Sequence, residues 1–200
     1  MTTTDAQLRE VKARLRATMN GVAAARMRQL GMRYRLIFGT ELPRLQALAD
    51  ELPHTAELAA RLWQEDIREC HLLAAMLMPV EAFQQDLAEV WLEQMQTTEE
   101  IECTTLHLLQ HAPYATTILF AWIASPERMK RIAGWTLAAR LFMQGKAPSE
   151  RDADELLDHL QCDLHATDSL IQKAAYKALL KYMGLSAAAN AHGERLLAAL

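Results

Sequence analysis

The sequence predicts an all-α protein, built as a right-handed α-solenoid of antiparallel helix pairs. Glycine and proline are scarce, with seven and six copies in 200 residues, while helix-favouring Ala, Leu, Glu and Arg are abundant. Alternating runs of β-branched residues, from which strands are built, are nearly absent. Apolar residues instead recur at helical spacing, as in Leu72, Leu73, Met76 and Leu77. Half of the residues are apolar (51%), so the chain can bury a sizeable core.

Helix-breaking residues divide the chain into about eleven helices. Ser125 precedes Pro126 at the expected first position of one helix, and Ser149 is followed by acidic residues, which a helix N-terminus favours. Thr98 is expected to cap a helix that begins at Glu99. The breaks fall at Asn20-Gly21, Gly31, Gly39-Thr40, Pro53, Pro79, Thr97-Thr98, Pro113, Ser125-Pro126, Gly145 to Ser149, Ala166-Thr167 and Gly184 to Ser186.

From about Leu42 onward the predicted helices form antiparallel pairs. The second helices of these pairs are expected near 66–78, 99–111, 127–143 and 168–183. A pair therefore repeats every ~30–45 residues, which is the range of HEAT and armadillo repeats. The prediction is an α-α superhelix of HEAT-like pairs, in a single domain over residues 1–200 with residues 1–40 as a basic N-terminal helical cap.

Each predicted second helix carries a charged residue in its first turn, followed by a mostly apolar run. These residues are Arg68, Glu102, Arg131 and Lys173. Stacked repeats bring equivalent positions onto one extended surface, so we expect this register to carry function. Arg68 with the neighbouring Glu69 is more readily interpreted as a structural ion pair or a helix cap than as a ligand site.

Charge is distributed unevenly along the chain. Residues 1–40 contain eight Lys or Arg and two acidic residues, a net of +6, which leaves −10 of the total of −4 for the remainder. From Glu69 to Glu127 there is no Lys or Arg, whereas nine carboxylates lie in that span. An acidic segment opposes contact with phosphates. The middle repeats are therefore a candidate surface for a protein partner, with basic residues on either side of them.

Nothing in the sequence indicates a membrane segment or an export signal. The N-terminal stretch lacks an apolar signal region, and no run approaches ~18 uninterrupted apolar residues. Cys70, Cys103 and Cys162 lie within helical patterns and are expected to be buried, reduced thiols. The expectation is a soluble, cytoplasmic protein without a membrane partner.

Metal and cofactor chemistry find little support. His107 and His111 lie four apart on a predicted helix, as two zinc ligands would, but the intervening residues lack the metalloprotease glutamate and no third ligand is evident. There is no Gly-rich phosphate-binding loop. The four tryptophans stand at helical spacing among apolar neighbours, which is typical of core residues. We expect no metal and no cofactor.

Several short segments, taken in order, resemble one known family. The chain is similar to the DNA alkylation repair family of HEAT-like-repeat DNA glycosylases, the AlkD-like proteins, over about residues 20–184. The segments that carry the resemblance are Leu62-Trp63 followed by Arg68-Glu69, Trp122-Ile123-Ala124-Ser125 with Arg131 after it, Ile171-Gln172-Lys173-Ala174, and the upstream turn Gly39 to Arg44.

The resemblance implies binding of double-stranded DNA on a concave repeat surface and excision of cationic alkylated purines, such as 3-methyladenine or 7-methylguanine. Cleavage of that glycosidic bond leaves an oxocarbenium-like sugar, which a nearby carboxylate stabilises. Aromatic rings hold the cationic lesion or the sugar by cation–π contact. An arginine on the concave face holds phosphate.

The resemblance places the catalytic carboxylate at Glu102 and the acidic position before it at Glu99. Thr97 and Thr98 stand where the family has a pair of tryptophans, so the aromatic walls are missing. The same acidic residues also favour a helix N-terminus, which is an equally good explanation of their position.

The candidate DNA-binding residues are all basic and lie in the last two predicted second helices. They are Arg131 and Lys130, followed by Lys173, Lys177 and Lys181. Arg131 falls at the family's phosphate-binding arginine, and Lys177 stands where the family has a further tryptophan. The three lysines are spaced four apart and share one helix face, which is either a phosphate-binding stripe or a solvated surface.

Three functions follow from these observations. The first is a DNA glycosylase that uses Glu102, and the second is a catalytically silent protein that binds DNA on the same scaffold. The third is a protein-interaction solenoid that uses the acidic middle repeats. If the ligand is a nucleic acid, the absence of the aromatic residues makes weak or absent excision the expectation.

Overall fold

The computed structural model describes residues 3–200, apart from the side chain of Glu150, and is helical over this range. It contains twelve α-helices, two short 3₁₀ turns at Val80–Ala82 and Leu109–His111, and no β-sheet among the residues described. The helices are α1 Thr4–Ala17, α2 Gly21–Gln29, α3 Leu42–Asp50, α4 Ala56–Trp63, α5 Arg68–Leu77, α6 Gln85–Gln94, α7 Thr98–His107, α8 Ala115–Ile123, α9 Arg128–Met143, α10 Glu150–Leu164, α11 Ser169–Met183 and α12 Ala187–Ala198.

These helices confirm the all-α prediction, and the second helices lie where the repeat spacing places them. The described residues divide into two compact units between Leu87 and Ala88. The expectation of one repeat domain over residues 1–200, with residues 1–40 as its cap, stays a prediction. No helix within residues 3–200 is both long enough and apolar enough to cross a membrane.

The first unit is organised around a buried ion pair at the start of α5. Arg68 and Glu69 are 2% and 0% exposed, and the Arg68 Nη1 donates to Glu69 Oε1 at 2.9 Å. The Glu69 carboxylate also accepts the backbone N–H groups of Phe38, Gly39 and Thr40 at 3.0, 2.9 and 3.3 Å. Arg68 Nη1 in turn donates to the Thr40 carbonyl at 3.1 Å. The structural interpretation of this pair agrees with these contacts.

The turn held by Glu69 requires glycine. Gly39 has a φ of +76°, a region that side chains rarely adopt, and a Cβ built there would collide with the Asn20 carbonyl oxygen and lie 2.8 Å from the Ala24 backbone nitrogen. Asn20 in addition donates its backbone N–H to the Phe38 carbonyl at 2.8 Å. The chain entering α3 is therefore fixed from both sides, by α5 and by the start of α2.

The second unit is built around α9, which packs against α7, α8 and α11. Gly134 permits close approach to α8, because a Cβ there would lie 2.7 Å from the Ile123 Cγ2. Trp122 and Trp135 are fully buried, and each indole N–H finds a carboxylate, Glu89 and Asp163 respectively, at 2.6 Å. Trp63 and Trp91 are buried as well, so the expectation of four core tryptophans is confirmed.

Two local predictions about helix boundaries are wrong. Helix α7 ends at His107, because Leu108 leaves the helical region and His111 lies in a separate 3₁₀ turn. His107 and His111 therefore do not share one helix, and no group of three potential metal ligands occurs among the described residues. Helix α9 begins at Arg128, since the Ser125 hydroxyl accepts the Glu127 backbone N–H at 3.1 Å in a turn before the helix.

The cysteines divide into two kinds. Cys70 and Cys103 are buried as expected, whereas Cys162 is exposed, because it faces outward on α10. Burial raises the pKa of the Cys70 thiol far above its ordinary value, with nearby Glu65 adding to the effect. Cys70 is therefore a neutral core residue and not a nucleophile.

Candidate functional site

A groove of about 1000 Å³ runs across α7, α9 and α11 of the second unit. It brings together four of the residues singled out in the sequence. Glu102 lines it from α7, and Lys173, Lys177 and Lys181 line it from α11. A groove of this size that brings polar and apolar side chains together is a candidate functional site.

Glu102 and Lys177 face each other across the groove. The Lys177 Nζ donates to the Glu102 Oε1 at 3.2 Å, and the two side chains, Glu102 and Lys177, are 58% and 69% exposed. An exposed pair of this kind contributes little to stability. Its consequence is electrostatic, because an ammonium lies next to the carboxylate in the groove.

The exposed face of α11 alternates cations and apolar groups. Lys173, Tyr176, Lys177, Leu180 and Lys181 follow one another at helical spacing on this face, and all five line the groove. The opposite face of α11 is buried against its neighbours. The lysine stripe predicted from the sequence is therefore one helical face, and it includes two apolar residues that the sequence reasoning missed.

Exposed apolar side chains are concentrated in this groove. Ten large apolar residues are exposed among residues 3–200, and five of them line it. They are 41% to 59% exposed: Leu106, Met143, Tyr176, Leu180 and Leu200. A contiguous apolar surface with a polar border is typical of an interaction site.

Arg140 forms the cationic wall of the groove on α9. Its Nε donates to the Gln110 side-chain oxygen at 2.9 Å, and the same oxygen accepts the Gln144 amide at 2.9 Å. Gln110 is itself buried. The hydrogen bond to Gln110 therefore fixes the Arg140 guanidinium, which lines the groove.

Arg131 does not line the groove. It forms a two-point ion pair with Asp163 of α10, with its Nε at 3.3 Å from Oδ2 and its Nη2 in contact with Oδ1. The Asp163 side chain is only 3% exposed and also accepts the Trp135 indole N–H at 2.6 Å. Arg131 is therefore the counter-ion of a buried carboxylate.

Lys130 is also engaged outside the groove. Its ammonium lies 2.9 Å from Glu127 and 3.6 Å from Glu89. The hydrogen bond to Glu127 is the main reason that the pKa of Lys130 is raised, with smaller contributions from the charges around it. The assignments of Arg131 and Lys130 to DNA binding, and of Glu102 and Glu99 to catalysis, stay predictions.

Comparison with known proteins identifies the family. A family model described as DNA alkylation repair enzyme matches residues 11–188, which is most of the chain. The chain belongs to the DNA alkylation repair enzyme family.

A solved structure supports the fold of this DNA alkylation repair family member. It comes from a protein family described as new, related to the HEAT-like repeat DNA glycosylases and with affinity for branched DNA structures. The TM-score is 0.82 at 16% sequence identity, and the match covers 94% of this chain and 81% of that one. At this identity the match shows the fold, and it confirms the predicted HEAT-like helical architecture. No curated protein matches the chain significantly in sequence.

In this family member, the start of α7 is a capping box where the resemblance implies a pair of tryptophans. The Thr97 hydroxyl accepts the Glu100 backbone N–H at 3.3 Å, and the Glu100 carboxylate accepts the Thr97 backbone N–H at 2.9 Å. Thr97 is thus the cap, and the prediction of Thr98 is wrong by one residue. Among the acidic residues at the start of α7, Glu100 therefore stabilises the helix N-terminus, and its side chain is buried.

Asp168 fixes the start of α11, and its contribution to stability should depend on pH. It accepts the backbone N–H groups of Leu170 and Ile171 at 2.8 and 3.4 Å and pairs with the Arg128 guanidinium. The hydrogen bond from Arg128 is the main cause of the lowered pKa of Asp168. Because the pKa is lowered, the ionised carboxylate stabilises the folded state at pH values above its pKa in the unfolded chain, about 3.9. This stabilisation is lost as the pH falls through the lower pKa of the folded state.

Replacing Asp168 by asparagine keeps the cap and removes the charge. We expect a loss of about 0.5–1 kcal/mol at pH 7, since the ion pair is partly exposed. The difference should narrow when urea unfolding is repeated at pH values that fall progressively below about 3.9. An undiminished difference at the lower pH would show that the charge of Asp168 is not responsible.

Proposed function

We propose that this protein binds DNA, with a preference for branched structures, along the groove of α7, α9 and α11, and that it does not excise alkylated bases. Membership of the DNA alkylation repair family supports DNA as the ligand. The structurally similar protein with affinity for branched DNA supports the preference. The observation that carries the proposal is the pairing of Glu102 with Lys177 beside a stripe of lysines.

The lysines of α11 suit a DNA backbone. Lys173, Lys177 and Lys181 span eight residues of helix, or about 12 Å, on one exposed face. Within the part of the chain that the structure describes, Lys173 and Lys181 have no carboxylate within ion-pair distance. Free ammonium groups on a common face gain affinity for phosphates through release of counterions.

The same geometry argues against base excision. A carboxylate that stabilises a sugar cation acts best in a water-excluded site, where its charge is not already compensated. Glu102 is more than half exposed, so water screens its charge. The start of α7, at Thr97, presents a cap instead of an aromatic wall. The groove therefore offers phosphate-binding groups without the chemistry of glycosidic cleavage.

Binding is tested by fluorescence anisotropy with a branched DNA junction and a duplex of the same sequence, at several salt concentrations. Replacing Lys173 and Lys181 together by glutamine should reduce the salt slope of binding by about 2, because two phosphates are then no longer neutralised. Arg195→Gln removes an exposed cation of α12 that does not line the groove, and it should leave the slope unchanged.

Excision is tested in parallel by measuring release of bases from methylated duplex DNA. We expect no release from the wild-type protein. Release that disappears in Glu102→Gln would overturn the non-catalytic part of the proposal. Failure to retain any of the DNA probes at low salt would overturn DNA binding itself.

A further inference from the structure

We infer that the groove takes the unpaired nucleotides of a DNA branch point, with bases on its apolar floor, phosphates on the α11 lysines, and Glu102 displaced from Lys177 by a phosphate. This inference rests on the proposed function and specifies the part of the DNA that enters the site. Five exposed apolar side chains, called the apolar floor below, line the groove together with four cations, Arg140 and the three lysines.

Binding of duplex DNA does not account for the apolar floor of the groove. Interfaces with duplex DNA are polar and strongly cationic, because the surface of a duplex consists of phosphates, sugars and groove edges. The flat apolar faces of bases become available only where bases are unpaired or unstacked. A floor that includes Tyr176, Leu180 and Met143 therefore matches unpaired bases.

Two parallel rows of residues on α11 match the two sides of a single strand. Lys173, Lys177 and Lys181 form one row, and Tyr176 and Leu180 form the row beside it, each directly before a lysine in the sequence. The four-residue period of each row corresponds to about 6 Å along the helix. A single strand presents a row of phosphates beside a row of bases, and proteins that bind one combine a cationic path with aromatic stacking surfaces.

Among the described residues that line the groove, Glu102 is the one with a carboxylate side chain, and it competes with a phosphate for Lys177. The Lys177 Nζ is 3.2 Å from the Glu102 Oε1, a position that a phosphate oxygen would take. A phosphate that arrives must separate this pair and is repelled by the carboxylate. Because both side chains are more than half exposed, separating them costs little.

The test compares a duplex with the same duplex carrying a short single-stranded gap. Replacing Tyr176 and Leu180 together by serine should weaken binding of the gapped DNA at least fivefold, as expected for the loss of base stacking, and leave the duplex unaffected. Glu102→Gln should strengthen binding of the gapped DNA several-fold. Both α11 residues are more than 40% exposed, so the fold should persist, which thermal unfolding checks.

Val90→Ser is the matched control, because Val90 is an equally exposed apolar residue outside the groove. It should leave binding of both DNAs unchanged. A fluorescent base analogue placed in the gap gives an independent readout, since its emission should change on binding to the wild-type protein and not to the Tyr176 and Leu180 variant.

The outcomes separate this inference from the proposed function. Absence of binding to every DNA would overturn both. Equal binding of duplex and gapped DNA, with no effect of Tyr176 and Leu180, would overturn the inference alone. An acidic amphipathic helical peptide is a third probe, because an apolar groove with a cationic border also suits such a helix. If the peptide binds and gapped DNA is not preferred over duplex, the occupant of the groove is a protein segment and not unpaired nucleotides, which overturns the inference.

Discussion

Replacing Glu69 by glutamine should lower the free energy of unfolding by about 3–5 kcal/mol, which is typical when one member of a buried ion pair is removed. The carboxylate accepts three backbone N–H groups and the Arg68 guanidinium in a fully buried position. A glutamine side chain has one acceptor oxygen and turns its NH₂ group toward the remaining donors. Urea unfolding followed by circular dichroism measures the loss.

The control is Glu51→Gln, which removes the carboxylate of an exposed pair with Arg14 in the same unit. Its effect should be within about 0.5 kcal/mol, because exposed ion pairs contribute little. A loss of less than about 1 kcal/mol for Glu69→Gln would mean that the turn at Gly39 does not depend on the carboxylate.

Replacing Asp163 by asparagine should cost about 2–3 kcal/mol of stability, since a buried carboxylate loses its charge-assisted hydrogen bonds. Asparagine places an NH₂ group against Arg131 or against the Trp135 indole N–H, and both of these are donors. Thermal or urea unfolding measures the effect. Asp158→Asn, at an exposed position of the same helix, is the control and should be nearly neutral.

The Asp163 variant also clarifies the role of Arg131. If Arg131 serves mainly as the counter-ion of Asp163, then Arg131→Gln should reduce stability and leave DNA affinity nearly unchanged. The double variant should then lose less than the sum of the two single losses. A strong loss of DNA affinity with unchanged stability would instead restore the phosphate-binding role that the family resemblance implies for Arg131.

Much of the fold follows from the sequence, because helices depend on short-range patterns. Composition, apolar spacing and the cap at Ser149 predict α10 and its neighbours, and the Ser149 hydroxyl does accept the Asp152 backbone N–H at 3.2 Å. The end of α7 at His107 is not predictable in this way, because Leu108 is a good helix former by itself. The predicted cap of α7, Thr98, is one residue too late, although Thr97 and Glu100 have the spacing of a capping box.

The site could be predicted only in part. The lysines of α11 are recognisable because they recur on one helix and need no knowledge of other segments. The apolar floor is not recognisable in this way, since Leu106, Met143 and Tyr176 come from three helices that only the tertiary packing brings together. The ion pair of Arg131 with Asp163 could not be predicted either, because 32 residues separate the two in the sequence.

The ion pair of Glu102 and Lys177 couples two positions in any redesign of this protein. The family resemblance implies a tryptophan at the position of Lys177 and the catalytic carboxylate at the position of Glu102, and these two side chains form an ion pair. Changing Lys177 to tryptophan would supply an aromatic wall and, in the same step, release the charge of Glu102. The effect of a substitution at either position should therefore depend on the residue at the other, so a redesign of the groove has to treat the two as a pair.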